Sequence, residues 1–252
     1  VTTNYVNEIK PDKICHLAAM AGVRYSIENP DKYVKVNIEG FINLLEQAVK
    51  NKVSNFVYAS SSSVYGLNKK IPFSETDDIV SCNSPYAASK RAMEVFATTY
   101  NQLYNLPLIG LRFFTVYGPR GRPDMAPYKF LKAIITGKEF QKYGTGDSMR
   151  DYTYISDIVD GVVSSIENKK NMKCEVINLG NSSPVSLNDF ISTCEKVSNK
   201  KANYKQIENQ LGDVPVTYAD TSKAKDLLDY QPKVKLIDGL KNTYDWIIDS
   251  GF

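Results

Sequence analysis

The chain has 252 residues, 42% hydrophobic and 23% charged, enough apolar material for one large core or two modest ones. Its 31 Lys plus Arg against 28 Asp plus Glu leave a net charge of +3, spread along the chain, which argues against a nucleic-acid partner. No run approaches the roughly 18 consecutive apolar residues that a membrane-spanning helix needs, and the opening Val1-Thr2-Thr3-Asn4-Tyr5 has no signal-peptide pattern, so a cytoplasmic protein with no membrane partner is expected.

In chain order, Lys13 to Leu17 reads as a buried strand, and Asp31 to Asn51 as a helix with Val34, Ile38, Phe41, Ile42, Leu45 and Val49 on one face. Asn55 to Ser60 is the next strand. Ser84 and Pro85 supply an N-cap and a first-turn proline for a helix to Tyr104. Leu108 to Phe114 is a third strand, helices follow at Tyr128 to Thr136 and Ser156 to Asn168, and Glu175 to Leu179 is a fourth strand. This alternation predicts an α/β fold, a doubly wound parallel sheet covered on both faces. After Pro184 helices are expected at Leu187 to Val197, Thr221 to Leu228 and Leu236 to Asp249, with a polar, lysine-rich stretch at Asn199 to Gln210. The division expected is residues 1–118 with 152–185 for the sheet domain, and 119–151 with 186–252 for a smaller lobe.

Cys15, Cys82, Cys174 and Cys194 are far apart and His16 is the only histidine. That excludes a Cys/His zinc site, disfavours a disulfide framework and leaves no Ser-His-Asp triad, so no metal is expected. Proton chemistry would then fall to Tyr, Lys, Asp or Glu.

Ligands of doubly wound sheets bind beyond the carboxyl ends of the strands. Ala18-Ala19, after the first strand, would let a ligand approach the backbone, or would serve close strand–helix packing. Ser60-Ser61-Ser62-Ser63 places four hydroxyls at the end of the second strand. Tyr86 and Lys90 stand one turn apart on the following helix, where an ammonium lowers a phenol's pKa and makes it a usable base. Tyr65/Lys69 and Tyr128/Lys132 repeat the spacing, but neither pairs a helix start with a serine loop one element upstream. Removing a hydroxyl proton yields a ketone only if a hydride also leaves, which demands an acceptor such as NAD. Arg120, Arg122 and Arg150 are candidates for a diphosphate, or for surface ion pairs.

Leu17-Ala18-Ala19, the serines before Val64-Tyr65-Gly66, Ser84 to Lys90, Leu111 to Pro119 and Arg150 to Asp157 stand in an order that resembles the extended short-chain dehydrogenase/reductase family of nucleotide-sugar epimerases and dehydratases. Ala21 to Ser26, Gly121 to Ala126 and Gly212 to Asp220 are most similar to its UDP-glucuronate 4-epimerases. The resemblance implies a tightly held NAD, a UDP-sugar substrate, turnover of a 4-keto intermediate, and a homodimer formed through helices within 31–51 and 85–104. It gives Tyr86 the role of base, Lys90 that of nicotinamide-ribose holder, and Ser61 and Ser62 contacts to the reacting hydroxyl. It matches Ala18, Ala19, Asn37, Ser60 and Phe113 to cofactor-contacting positions, Thr115 to the sugar site, and Arg122, Arg150 and Asp213 to the nucleotide. Ser62-Ser63 stand where dehydratases carry Asp-Glu, which argues against loss of water. Other readings are C4 epimerisation of UDP-glucose or UDP-N-acetylglucosamine, decarboxylation of UDP-glucuronate, or a non-catalytic nucleotide-sugar binder.

The family's Gly-rich G-x-x-G-x-x-G turn, which holds a pyrophosphate at a helix N-terminus, does not occur before Lys13. The sequence opens with Val1, and the expectation is a fragment of a longer enzyme or a natural truncation.

Overall fold

The computed structural model describes residues 2–208 and 214–251. Its elements are α1 (Thr2–Ile9), β1 (Lys13–His16), α2 (Val23–Glu28), α3 (Pro30–Tyr33), a π-helical segment (Val34–Glu39), α4 (Gly40–Lys50), β2 (Asn55–Ser61), a 3-10 turn (Ser62–Tyr65), α5 (Pro85–Tyr104), β3 (Leu108–Phe113) and β4 (Thr115–Tyr117). They continue with α6 (Ala126–Thr136), β5 (Phe140–Tyr143), β6 (Met149–Tyr154), α7 (Ile155–Glu167), β7 (Cys174–Leu179), β8 (Pro184–Ser186), α8 (Leu187–Ser198), β9 (Tyr204–Ile207), β10 (Val216–Thr217), α9 (Ser222–Leu228) and α10 (Leu236–Asp249).

Two compact units form: Val1–Phe113 with Asp160–Leu179 and Thr221–Tyr230, and Phe114–Val159 with Gly180–Asp220 and Gln231–Phe252. Residues 221–230, expected in the smaller lobe, belong to the first unit, because Gly161 on α7 leaves room for both Leu179 of β7 and Tyr230, which follows α9.

The first unit is built on a parallel sheet in the order β1-β2-β3-β7. Every residue of β2 is buried, which requires cover on both faces and explains its lack of alternation. Phe56 and Tyr58 of β2 pack with Phe41, Leu45 and Ala48 of α4 and Met93, Ala97 and Tyr100 of α5. The Tyr58 ring fits because Gly110 of β3 has no Cβ; one built there would lie 2.5 Å from the ring. α5 begins as its sequence predicts: the Ser84 hydroxyl accepts the Ala87 N–H at 3.1 Å, with Pro85 in the first turn.

The second unit holds β4, β6 and β10 in parallel, β8 antiparallel to β6, and a separate parallel pair, β5 with β9. Its core gathers Tyr117, Tyr128, Leu131, Tyr152, Phe190 and Leu240. The short strands β4, β5, β6, β8 and β10 were not anticipated from the sequence, and β9 lies in what read as a polar lysine-rich stretch. β4, β8 and β10, at two or three residues, are too short for period-2 patterning to show.

Candidate active site

The loop after β1 is the first component of the site. Asn37, on the π-helical segment, grips Met20 through both ends of its amide: Oδ1 accepts the Met20 N–H at 2.8 Å and Nδ2 donates to the Met20 carbonyl at 3.0 Å. Nδ2 also reaches the Ser89 hydroxyl at 3.0 Å, and that hydroxyl donates to the Tyr86 carbonyl at 2.7 Å. Tyr33 donates to the carbonyls of Ala21 and Gly22. These bonds fix the backbone of 20–22 while leaving Ala18 exposed and Ala19 half-buried. Asn37 is completely buried. Its side chain braces this loop. An irregular helical turn at such a brace fits the frequent use of π-bulges at functional sites.

The second component is the strand end and turn of the serines. Ser61 caps the 3-10 turn, its hydroxyl accepting the Ser63 N–H at 3.1 Å, and Ser62 and Ser63 are half-buried. Ser60 is buried and donates its hydroxyl to Glu94 at 2.6 Å. Phe113, at the end of β3, is half-buried and pairs in register with Ser61.

The third component is α5 itself. Tyr86 lies in its first turn, half-buried, with its ring edge-on to Tyr33 at 6.1 Å between centroids. Lys90 follows one turn later and is buried, its ammonium donating to the Ala59 carbonyl at 2.7 Å. Burial pulls Lys90 down to about 8, because the charged form loses its hydration. An ammonium has three donors, and one protein acceptor leaves capacity for a polar ligand. That capacity fits a ribose diol, and the small residues Ala18 and Ala19 leave backbone open to a flat ring such as a nicotinamide. His16 stacks on Phe41 at 5.9 Å, and burial, reinforced by the positive Lys90, lowers it to about 4, so it is neutral at physiological pH.

The sequence did not single out the polar cluster behind the serines. Glu94 takes two hydrogen bonds from Arg112, both 2.8 Å, and one from Arg91 at 2.8 Å. Burial would raise the Glu94 carboxyl, but the Arg112 contacts outweigh it and hold the group below the usual range. The signal was present in part: Arg112 stands in the middle of an apolar strand, where an unpaired charge is rare, and Glu94 lies one turn beyond Lys90.

The second unit carries the residues matched to the sugar nucleotide. Thr115 is half-buried on β4. Arg150 is half-buried on β6 between β8 and β10, donating to the Met149 carbonyl at 2.8 Å. The exposed Arg122 pairs bidentately with Asp124 at 3.0 and 2.6 Å, so the ion-pair alternative describes one of its contacts. Arg120 is exposed in the preceding turn, and Asp213 lies outside the described residues. The repeated Tyr/Lys spacing at Tyr128 and Lys132 resolves into an ammonium over a ring, 5.6 Å from its centroid. Among the described residues no group of His, Cys, Asp and Glu is arranged to hold a metal ion, and no helix is long and apolar enough to cross a membrane.

A parallel sheet whose serine-bearing strand end is followed by a helix carrying Tyr86 and Lys90 one turn apart defines the extended short-chain dehydrogenase/reductase class. Residues 2–243 match the family model described as GDP-mannose 4,6 dehydratase, and the chain belongs to that family. It is 52% identical over 239 residues to an uncharacterized protein of Methanocaldococcus jannaschii, covering 95% of this chain and 73% of that one. It is 44% identical over 234 residues to the UDP-glucuronate 4-epimerase of Thermodesulfobacterium geofontis, covering 92% and 71%. The crystal structure of UDP-glucuronic acid 4-epimerase from Bacillus cereus, in complex with UDP-glucuronic acid and NAD, superposes with a TM-score of 0.92 at 38% identity, covering 98% of this chain and 78% of that one.

Proposed function

We propose that the protein is an isomerase that catalyses NAD-dependent C4 epimerisation of a UDP-sugar, UDP-glucuronate to UDP-galacturonate. The observation that carries this reading is Tyr86 at the start of α5 with the buried, under-partnered Lys90 one turn later, beside the serine turn. The likeness to relatives and a solved structure named as UDP-glucuronate 4-epimerases supports the same substrate.

When bound, NAD supplies a reversible hydride acceptor for C4. Lys90 holds the nicotinamide ribose and, while charged, favours the Tyr86 phenolate. Tyr86 removes the 4-hydroxyl proton and returns it after the 4-keto sugar has turned over. Ser61 and Ser62 hold the reacting oxygen, Ala18, Ala19 and Phe113 border the cofactor, and Thr115 faces the sugar. Arg150, Arg122 and Asp213 take the nucleotide, guanidinium groups matching phosphate oxygens. The serine turn has hydroxyls where a dehydratase needs an acid, and the carboxylate behind it, Glu94, is committed to Arg112. That favours epimerisation over loss of water, despite the description of the family model.

The same reading places the protein in the cytoplasm as a homodimer. Exposed Val36, Val95 and Leu103 on the π segment and α5 supply apolar surface for a second copy.

The test is to incubate the 252-residue chain with NAD and UDP-glucuronate and separate the products by anion-exchange chromatography. UDP-galacturonate is expected, approached from either epimer. A 4-keto-6-deoxy sugar, a pentose with release of carbon dioxide, or no product would overturn the reading.

A further inference from the structure

Arg112 touches both ends of the serine turn. On one side its guanidinium binds Glu94, which accepts the Ser60 hydroxyl. On the other it lies over the Tyr65 ring, 4.7 Å from the centroid, and the Tyr65 hydroxyl donates to Asn178 Oδ1 at 2.7 Å. Asn178 is fixed in turn, donating to the Phe73 carbonyl at 2.9 Å and through its N–H to Glu75 at 2.7 Å. Ser60 is the residue before Ser61, and Tyr65 is the last of the turn.

Register explains how the cluster assembles. Ser60 of β2 stands directly beside Arg112 of β3, and Arg112 beside Asn178 of β7, so one row across the parallel sheet supplies three members. α5 supplies the fourth, Glu94, from the turn after Lys90. Ser60, Glu94 and Arg112 are each 2% exposed. Desolvating a carboxylate and a guanidinium is costly, and a well-packed apolar pair commonly does as well for stability. What a directional charged pair adds is a single geometry for the groups it binds.

We propose that Glu94 and Arg112 are positioning residues that clamp the serine turn: Ser60 tethers its entry, Tyr65 its exit, and the pair between them sets where the Ser61 and Ser62 hydroxyls stand relative to Tyr86. The inference of a clamp concerns the turn itself; its effect on turnover rests on the function proposed above.

Ser60→Ala removes one tether and little volume, and Glu94→Gln removes the charge from the centre. Amide hydrogen exchange followed by mass spectrometry reads the turn directly, and kinetics with UDP-glucuronate and NAD reads its consequence. Exchange over residues 61–66 is expected to accelerate on the order of tenfold in Ser60→Ala, with α4 unchanged. kcat is expected to fall on the order of tenfold with KM within about twofold, as for misplacement of groups that act in the transition state. If Glu94→Gln does not fold, Ser60→Ala alone decides. Exchange over 61–66 within about twofold of the unsubstituted chain, or acceleration spread evenly over the unit, would overturn the clamp. If the unsubstituted chain makes no UDP-galacturonate, the proposed function fails while the exchange result still decides the clamp.

Discussion

The Lys90 ammonium donates to the Ala59 carbonyl, one residue before the serine row, at 2.7 Å. Lys90 is thereby fastened to the strand that carries the hydroxyls, and α5 and β2 share one frame. Burial lowers Lys90 from 10.5 to about 8. The unfolded chain therefore holds more protons than the folded one between those values, so stability rises with pH across this window. Compared with Lys90→Met, the unsubstituted chain should gain up to about 3 kcal/mol from pH 8 to 10.5 in denaturant titrations; a flat difference would refute the buried ammonium.

The same shift sets a kinetic limb. If Tyr86 is the base proposed above, loss of the Lys90 proton near pH 8 removes the charge that favours its phenolate, and kcat/KM for UDP-glucuronate should decline above that pH. A pH–rate profile still rising at pH 9.5 would separate Lys90 from the base.

Tyr86→Phe deletes one phenol oxygen and retains the ring against Tyr33. Turnover should be lost, with UDP-sugar affinity by calorimetry within a few-fold of the unsubstituted chain. Activity comparable to the parent would remove Tyr86 from the base role.

Arg150 is half-buried on a strand flanked on both sides, whereas Arg122 is exposed and shared with Asp124. Arg150→Ala should cost about 1.5 to 3 kcal/mol of UDP binding, as for a lost charge-assisted hydrogen bond. Arg122→Ala should cost less, because part of its charge is already answered. Calorimetric titration with UDP gives the order directly, and the reverse ranking would reassign the diphosphate contact.

Asp151 is fully buried and accepts the backbone N–H groups of Asn181, Ser182 and Ala219 at 2.7, 3.0 and 3.0 Å. Asp151→Asn replaces one acceptor oxygen with a donor that faces an N–H. A loss of about 2 to 4 kcal/mol in unfolding free energy is expected, and a change below about 0.5 kcal/mol would show that the three N–H groups find other acceptors.

α5 begins and ends where the sequence places it, and β2, β3 and β7 come within a residue or two, because each carries a local signal: a serine cap and first-turn proline for the helix, an apolar run between turns for the strands. Tyr86, Lys90 and the serines stand out as candidates for the same reason, since their spacing lies within one helix or one strand end. The pairing of Arg112 with Glu94, and the bonds that Asn37 and Ser60 make, have no such local mark. Their partners, 18, 34 and 17 residues away, are set by the row of β2 against β3 and by the packing of α5 and the π segment on the first unit. A sequence fixes periodicity and caps through neighbours along the chain. Which buried donor meets which acceptor is decided by register and packing, where leaving a polar group unpaired costs more than any local preference returns.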